Sequence, residues 1–213
     1  MELCSFIRRA DTPELQAALT LINACYADDV ELVEKLLKSN IDPNLADPCL
    51  FESPTGTYYR GLGDLLIKRN QVACLNLLLD HGLSPNTMYA AYHVDEFLIE
   101  LAISLDRRDC FKALLEYGAA PDVGTYDSDS SIRLALSKPD TFWGRELVKH
   151  GAYPMPFMKK ALATKDTDLI RFLLAHGGKI PWRYRLLGIY NPKFLVAALT
   201  LITAGIFALY YIK

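Results

Sequence analysis

A pair of bulky apolar residues, followed three positions later by glycine or asparagine, recurs five times along this 213-residue chain. The pairs are Leu36-Leu37, Leu78-Leu79, Leu114-Leu115, Leu147-Val148 and Leu173-Leu174, and the residues that follow them are Asn40, Gly82, Gly118, Gly151 and Gly177. These two residue types accept the left-handed backbone conformation that a chain needs just past a helix end. Successive members lie 42, 36, 33 and 26 residues apart. The pattern predicts stacked helix pairs instead of a compact globule.

The segments that carry this pattern resemble the second half of ankyrin repeats. They read VELVEKLLKSNIDPN, VACLNLLLDHGLSPN, RDCFKALLEYGAAPD and LIRFLLAHGGK. In that family each repeat pairs two antiparallel helices, and hairpin-like finger loops join neighbouring repeats. The resemblance covers roughly residues 19–181 and implies about five repeats, at 19–44, 61–86, 97–122, 130–155 and 156–181. We therefore expect an all-α protein, an ankyrin-type helical repeat solenoid, with residues 1–18 as an N-terminal capping helix region.

The first helix of each repeat departs from the family pattern. The expected first helices are Leu19–Ala27, Leu62–Arg69, Leu98–Leu105, Ser131–Lys138 and Phe157–Thr164. Small residues occupy the tight packing position in four of them (Ala24, Ala102, Ala135 and Ala161), and Leu66 fills it in the second. None carries the family's T-P-L-H opening, whose Thr and His tie the turn together by hydrogen bonds. The resemblance therefore implies looser or irregular stacking here.

Residues 194–212 form an apolar run without charge, FLVAALTLITAGIFALYYI. A helix of this length reaches roughly 28 Å, close to the ~30 Å hydrocarbon core of a bilayer. A buried core helix is the alternative, but a helix on a soluble protein keeps a polar stripe that this run lacks. The run predicts a single C-terminal transmembrane helix, like that of tail-anchored proteins.

A basic, aromatic juxtamembrane segment, residues 182–193, precedes this run. Its basic residues place the repeats on the cytosolic face by the positive-inside rule, although the identity of the membrane stays open. The expected membrane-interface residues are Trp182, Arg183, Tyr184, Arg185, Lys193, Tyr210 and Tyr211. The lipid bilayer is thus one expected partner of the chain.

Sequence motifs for catalysis, cofactors and metals are missing. The chain has no phosphate-binding glycine loop and no H-E-x-x-H or G-x-S-x-G motif, and a net charge of −2 gives no case for nucleic acid. His81, His150 and His176 share one register, but stacked helices stand about 8–10 Å apart, too far for one zinc ion. Cys74 and Cys110 also share a register and are expected to be core residues. We expect no enzyme activity, cofactor, metal or small-molecule substrate.

The finger loops are the expected binding surface for a protein partner, whose identity is open. Tyrosines recur in them together with acids, which suits a basic or mixed partner surface. The candidate partner-binding residues are Tyr58, Tyr59, Tyr89, Tyr92, Tyr126, Asp95 and Glu96. The alternative is that these rings only cover the tops of the first helices.

The expected function is a membrane-anchored ankyrin-repeat scaffold or adaptor that mediates protein–protein interaction on the cytosolic face. Two alternatives stay open. One is a secreted effector of an intracellular bacterium, or a viral protein, that acts at host membranes. The other is an enzyme whose site is hidden in the irregular repeats.

Overall fold

The computed structural model describes residues 13–46, 51–52, 58–91, 94–124, 130–182 and 184. The chain divides into two compact bodies, residues 1–156 and 157–213. The described part is mostly helical, with only two short hairpins, so the expected all-α class is confirmed at this level. The regularity of a repeat solenoid remains a prediction.

The helices follow one another in pairs separated by short turns. They are α1 (Pro13–Ala27) and α2 (Val30–Lys38), the short α3 (Pro43–Ala46), α4 (Leu62–Arg69) and α5 (Val72–Asp80), α6 (Leu98–Ser104) and α7 (Arg108–Glu116), α8 (Ser131–Ser137) and α9 (Phe142–Lys149), and α10 (Met155–Thr164) and α11 (Thr167–Ala175). Helix α1 begins at Pro13 and continues without a break through residues 19–27, whereas residues 1–12 lie outside the described residues. The role of residues 1–18 as a capping region stays a prediction.

Two antiparallel hairpins lie between helix pairs. Strand β1 (Phe51–Glu52) pairs with β2 (Tyr58–Tyr59), and β3 (Met88–Ala91) pairs with β4 (Val94–Phe97). Each hairpin leads into a first helix, α4 or α6. These are the first two fingers expected from the sequence, and each forms a separate sheet.

One hydrogen-bond pattern closes the turn inside four of the helix pairs. The backbone N–H groups of Asp29, Gln71, Arg107 and Asp166 donate to the carbonyls of Ala24, Leu66, Ala102 and Ala161, at 2.9 to 3.0 Å. The residue before each donor has positive φ: Asp28, Asn70, Asp106 and Lys165. The shared geometry places Leu66 at the position that alanine occupies in the other three pairs, as the sequence predicted.

The glycines after the second helices take the left-handed conformation that the sequence predicted. Their φ values are 93°, 85°, 102° and 82° at Gly82, Gly118, Gly151 and Gly177, and Asn40 has a φ of 63°. The residue after each glycine then donates its backbone N–H to a carbonyl near the end of the helix, at 2.8 to 2.9 Å. The donors are Leu83, Ala119, Ala152 and Gly178, and the accepting carbonyls are those of Leu78, Leu114, Leu147 and Leu173. These bonds satisfy carbonyls that the helix end would otherwise leave open.

Within the first body the helices stack in two rows. First helices α1, α4, α6 and α8 contact one another in that order, and second helices α2, α5 and α7 do the same. Residues 62–67 of α4 and 98–103 of α6 are all buried. The first six residues of both helices are thus covered by their neighbours in the stack and by the hairpins. Most of their surface cannot bind a partner.

Asparagine side chains join neighbouring pairs at the closing turns. The amide of Asn44 donates to the Gly82 carbonyl at 2.8 Å and accepts from the Ser84 N–H at 3.2 Å. The amide of Asn86 repeats this one pair further on, with Gly118 at 3.2 Å and Ala120 at 2.7 Å. A side chain with both a donor and an acceptor therefore fixes the spacing between successive turns.

We expect Asn86→Asp to lower the free energy of unfolding by about 1 kcal/mol, because the carboxylate loses the bond to the Gly118 carbonyl. It also brings two acceptor oxygens together while keeping the bond from Ala120. Urea denaturation followed by circular dichroism measures this change. Asn23→Asp, the same change at an exposed position of α1, is the control. Equal unfolding midpoints for the two variants would contradict the bridging role.

Candidate functional site

Two of the candidate finger tyrosines are buried. Only 5% of Tyr59 and 3% of Tyr89 are exposed. The Tyr59 ring lies edge-on to Tyr26 of α1, with the centroids 6.5 Å apart. This favours the alternative, in which the rings cover the first helices. The expectation that Tyr59 and Tyr89 contact a partner is corrected, because a ring inside the fold has no free surface to offer.

A fully buried carboxylate, Asp64 of α4, lies at the base of the fingers. Its oxygens accept from the backbone N–H of Arg60 at 3.1 Å and from Arg60 Nε at 2.9 Å. A second cation, Lys68 one turn along α4, places its Nζ 2.8 Å from Asp64. Arg60 also reaches from the end of β2 to Glu96 on β4, at 2.6 Å. We call Arg60, Asp64, Lys68 and Glu96 the finger clamp, because they join both hairpins to one helix.

The charges of the finger clamp balance, with two cations against two carboxylates. Burial lowers the pKa of the Arg60 guanidinium, but its hydrogen bond to Glu96 and the charge of Asp64 outweigh this and raise the pKa overall. The guanidinium also lies over the Tyr89 ring at 5.7 Å, and Lys68 lies over the Tyr59 ring at 5.5 Å. Every member of the clamp has a partner, so the arrangement positions the fingers and offers no free acid or base.

Other buried polar residues tie the later fingers at the same place. Glu100 of α6, 1% exposed, accepts from the Phe97 N–H at 2.9 Å. Ser131 of α8, fully buried, donates to the Pro121 carbonyl at 2.8 Å. These finger bases are therefore held by side-chain hydrogen bonds although the first helices have no T-P-L-H opening. The sequence carries a signal for two of these buried groups: Asp64 and Glu100 are acids in the first turn of α4 and α6. An acid at this position favours helix formation.

The cysteines of the described residues are core residues, as expected. Cys25, Cys74 and Cys110 are buried and unpaired with one another. The thiols of Cys74 and Cys110 point to Asp28 and Asn70 of the preceding turn, at 3.6 and 3.7 Å. Burial raises the pKa of Cys74 to about 12 and that of Cys110 to about 11, and it also raises the pKa of Cys25. These thiols are therefore poor nucleophiles at neutral pH.

The three histidines that share one register, His81, His150 and His176, are turn residues at the ends of second helices. Their Nδ1 atoms lie 2.8 to 2.9 Å from the carbonyls four residues earlier, in Leu77, Glu146 and Phe172. Each ring nitrogen thus lies beside a carbonyl of its own helix end, as expected for a turn histidine. Among the residues that the structure describes, no group of three or more His, Cys, Asp or Glu side chains is arranged to hold a metal.

The remaining candidate site residues divide into described and undescribed ones. Of the expected membrane-interface residues, Trp182 is 72% exposed and Tyr184 is half-buried. Arg183, Arg185, Lys193, Tyr210, Tyr211, Tyr92 and Tyr126 lie outside the described residues, as do the side chains of Tyr58 and Asp95.

The predicted transmembrane run, residues 194–212, also lies outside the described residues. No helix in the described ranges is both long and apolar enough to cross a bilayer. The C-terminal anchor stays a prediction from the sequence.

No protein-family model matches this chain, and no curated protein is significantly similar to it. The resemblance to ankyrin repeats, carried by the second helices and their glycines, therefore also stays a prediction from the sequence.

Proposed function

We propose that this chain is a membrane-anchored, ankyrin-type scaffold whose fingers bind a protein partner. One observation carries the proposal: the first three helix pairs close with the same turn hydrogen bond and stack in two rows. Repeat arrays of this kind contact their neighbours in series and present extended surfaces to other proteins. The ionisable groups at the finger bases are already paired, which supports binding over catalysis.

The finger clamp supports the choice of the fingers as the binding surface. It fixes the bases of both hairpins against α4. The hairpins therefore lose less conformational entropy when a partner binds. Tyr59 and Tyr89 belong to this base. The proposed finger surface consists of four of the candidate residues, Tyr58, Tyr92, Asp95 and Tyr126, together with Met88. Met88 is 43% exposed. The carboxylate of Asp95 suits a partner with a basic surface.

The anchor of the proposal is residues 194–212, on the length and charge arguments given above. It would hold the scaffold at the bilayer, so that a captured partner is concentrated at the membrane. The basic segment before it would keep the finger surface in the cytosol.

One experiment tests both halves of this function. Membranes from cells that make the full chain are washed with alkaline carbonate, dissolved in detergent, and used for affinity capture with quantitative mass spectrometry. We expect the chain in the washed membranes together with a partner. The double variant Tyr92→Ala/Tyr126→Ala is expected to stay in the membranes but to retain at least about tenfold less partner, as for interface tyrosines generally.

The matched control is the double variant Tyr117→Ala/Tyr153→Ala. Both tyrosines are exposed, at 37% and 63%. Tyr117 directly follows α7, Tyr153 lies in the connection from α9 to α10, and neither belongs to the proposed finger surface. An equal loss of partner in both double variants would refute the finger surface. Release of the chain by carbonate would refute the anchor.

A further inference from the structure

An exposed tryptophan follows the last closing turn. Trp182 is 72% exposed, and the residues around it alternate between the interior and solvent. Ile180 is buried at 5%, whereas Lys179 on its other side is exposed. The fold therefore buries the isoleucine and leaves the indole and the ammonium group outside.

The charge of the chain changes sign just before this point. No acidic residue follows Asp168, although the chain has 25 of them. Six of the 23 basic residues do follow it: Arg171, Lys179, Arg183, Arg185, Lys193 and Lys213. Residues 1–168 thus hold 17 basic residues against 25 acidic ones. A negatively charged surface would attract the end of the chain and repel most of the rest.

We propose that residues 179–185 dock on an anionic bilayer surface, with the Trp182 indole inserted at the level of the lipid headgroups. This rests on the proposed function, because the anchor brings the segment to the bilayer. Only eleven residues separate Trp182 from the start of the apolar run at Phe194. Indole rings favour the membrane interface, where the ring is in an apolar layer and its N–H stays hydrated.

An anionic lipid is favoured over an acidic protein as the occupant by this short distance to the anchor. Each cation near such a surface strengthens binding about fivefold. Lys179, Arg183 and Arg185 together would then favour the docked over the undocked state by on the order of a hundredfold. The same attraction falls with ionic strength, because salt screens exposed charges.

The experiment uses the full chain in vesicles of phosphatidylcholine alone or with about one-third phosphatidylserine, a composition that sets the surface charge. Trp143 and Trp182 are the two tryptophans, and Trp143 is fully buried. The difference between the emission of the chain and that of Trp182→Phe therefore reports on Trp182. Lipids with brominated acyl chains quench an indole that has inserted.

With phosphatidylserine present, we expect Trp182 emission to shift to shorter wavelength and to be quenched by brominated lipid, and high salt to reverse both. The variant Lys179→Gln/Arg183→Gln/Arg185→Gln is expected to lose most of the quenching. The control is Lys35→Gln/Lys112→Gln/Lys149→Gln, which removes the same net charge from exposed positions of the first body. It is expected to leave the quenching unchanged.

The outcomes separate this inference from the anchor. If the chain floats with the vesicles after a carbonate wash but Trp182 is not quenched, the docking is wrong and the anchor holds. If quenching occurs but high salt releases the whole chain, the docking holds and the anchor is wrong. Equal loss of quenching in the two charge variants, or no flotation in either lipid mixture, would overturn the docking.

Discussion

Replacing Asp64 by alanine is expected to destabilise the protein by about 3 kcal/mol, near the lower end of the range for removing one partner of a buried ion pair. The carboxylate is fully buried between Arg60 and Lys68, and it also accepts the Arg60 backbone N–H. Its loss leaves the two cations with reduced compensation. The lower value applies because the Lys68 side chain is 30% exposed and Arg60 keeps Glu96. Urea denaturation followed by circular dichroism measures the loss.

Two further variants show whether charge or hydrogen bonding dominates at this position. Asp64→Asn keeps an oxygen for the Arg60 N–H but removes the charge, so its loss is expected to lie between zero and that of Asp64→Ala. Glu34→Gln is the surface control, since Glu34 pairs with Lys38 at 2.6 Å on the exposed side of α2. Exposed pairs add little, so no measurable change is expected there. An Asp64→Ala variant as stable as this control would mean that the finger clamp adds nothing to the fold.

The second large effect is expected from Leu66→Ala. This substitution gives the second helix pair the alanine that the other pairs have at the same position. Comparison with the other helix pairs of this chain alone would favour alanine at this position. Leu66 is fully buried, however, in a helix that contacts α1, α5 and α6. Its side chain fills space between these helices, so truncation to alanine is expected to leave a cavity. We expect a loss of about 3 kcal/mol, within the range for buried leucines.

The same substitution at an exposed leucine provides the control for this prediction. Leu105, at the end of α6, is 39% exposed, and Leu105→Ala is expected to change stability by no more than about 0.5 kcal/mol. A neutral or stabilising effect of Leu66→Ala in the same denaturation assay would contradict this prediction. It would mean that the neighbouring side chains can fill the space left by the truncation.

Local signals in the sequence predicted the helices and their ends well. The expected helix Leu62–Arg69 agrees with α4 at both ends, and Leu98–Leu105 agrees with α6 to within one residue. The left-handed glycines were predictable for the same reason: a helix end must satisfy its carbonyls within a few residues, and few residue types allow the turn. Such constraints act over short stretches of chain.

The site was harder to predict because its parts converge from distant segments. Arg60 and Glu96 are 36 residues apart in sequence, and neither carries a motif that points to the other or to Asp64. The tyrosines show the same limit. Strand β2 has two residues, too few for an alternating pattern to indicate that the Tyr59 ring faces inward.

The finger clamp has a consequence for how this protein can change over generations. Arg60 links the carboxylates of Asp64 on α4 and Glu96 on β4, so these framework contacts do not use the residues at the loop ends. Substitutions at the ends can then accumulate without a matching loss of folding. If the fingers bind a partner as proposed, new binding preferences can arise on an unchanged set of helices, because the loops can diverge while the residues that support them cannot.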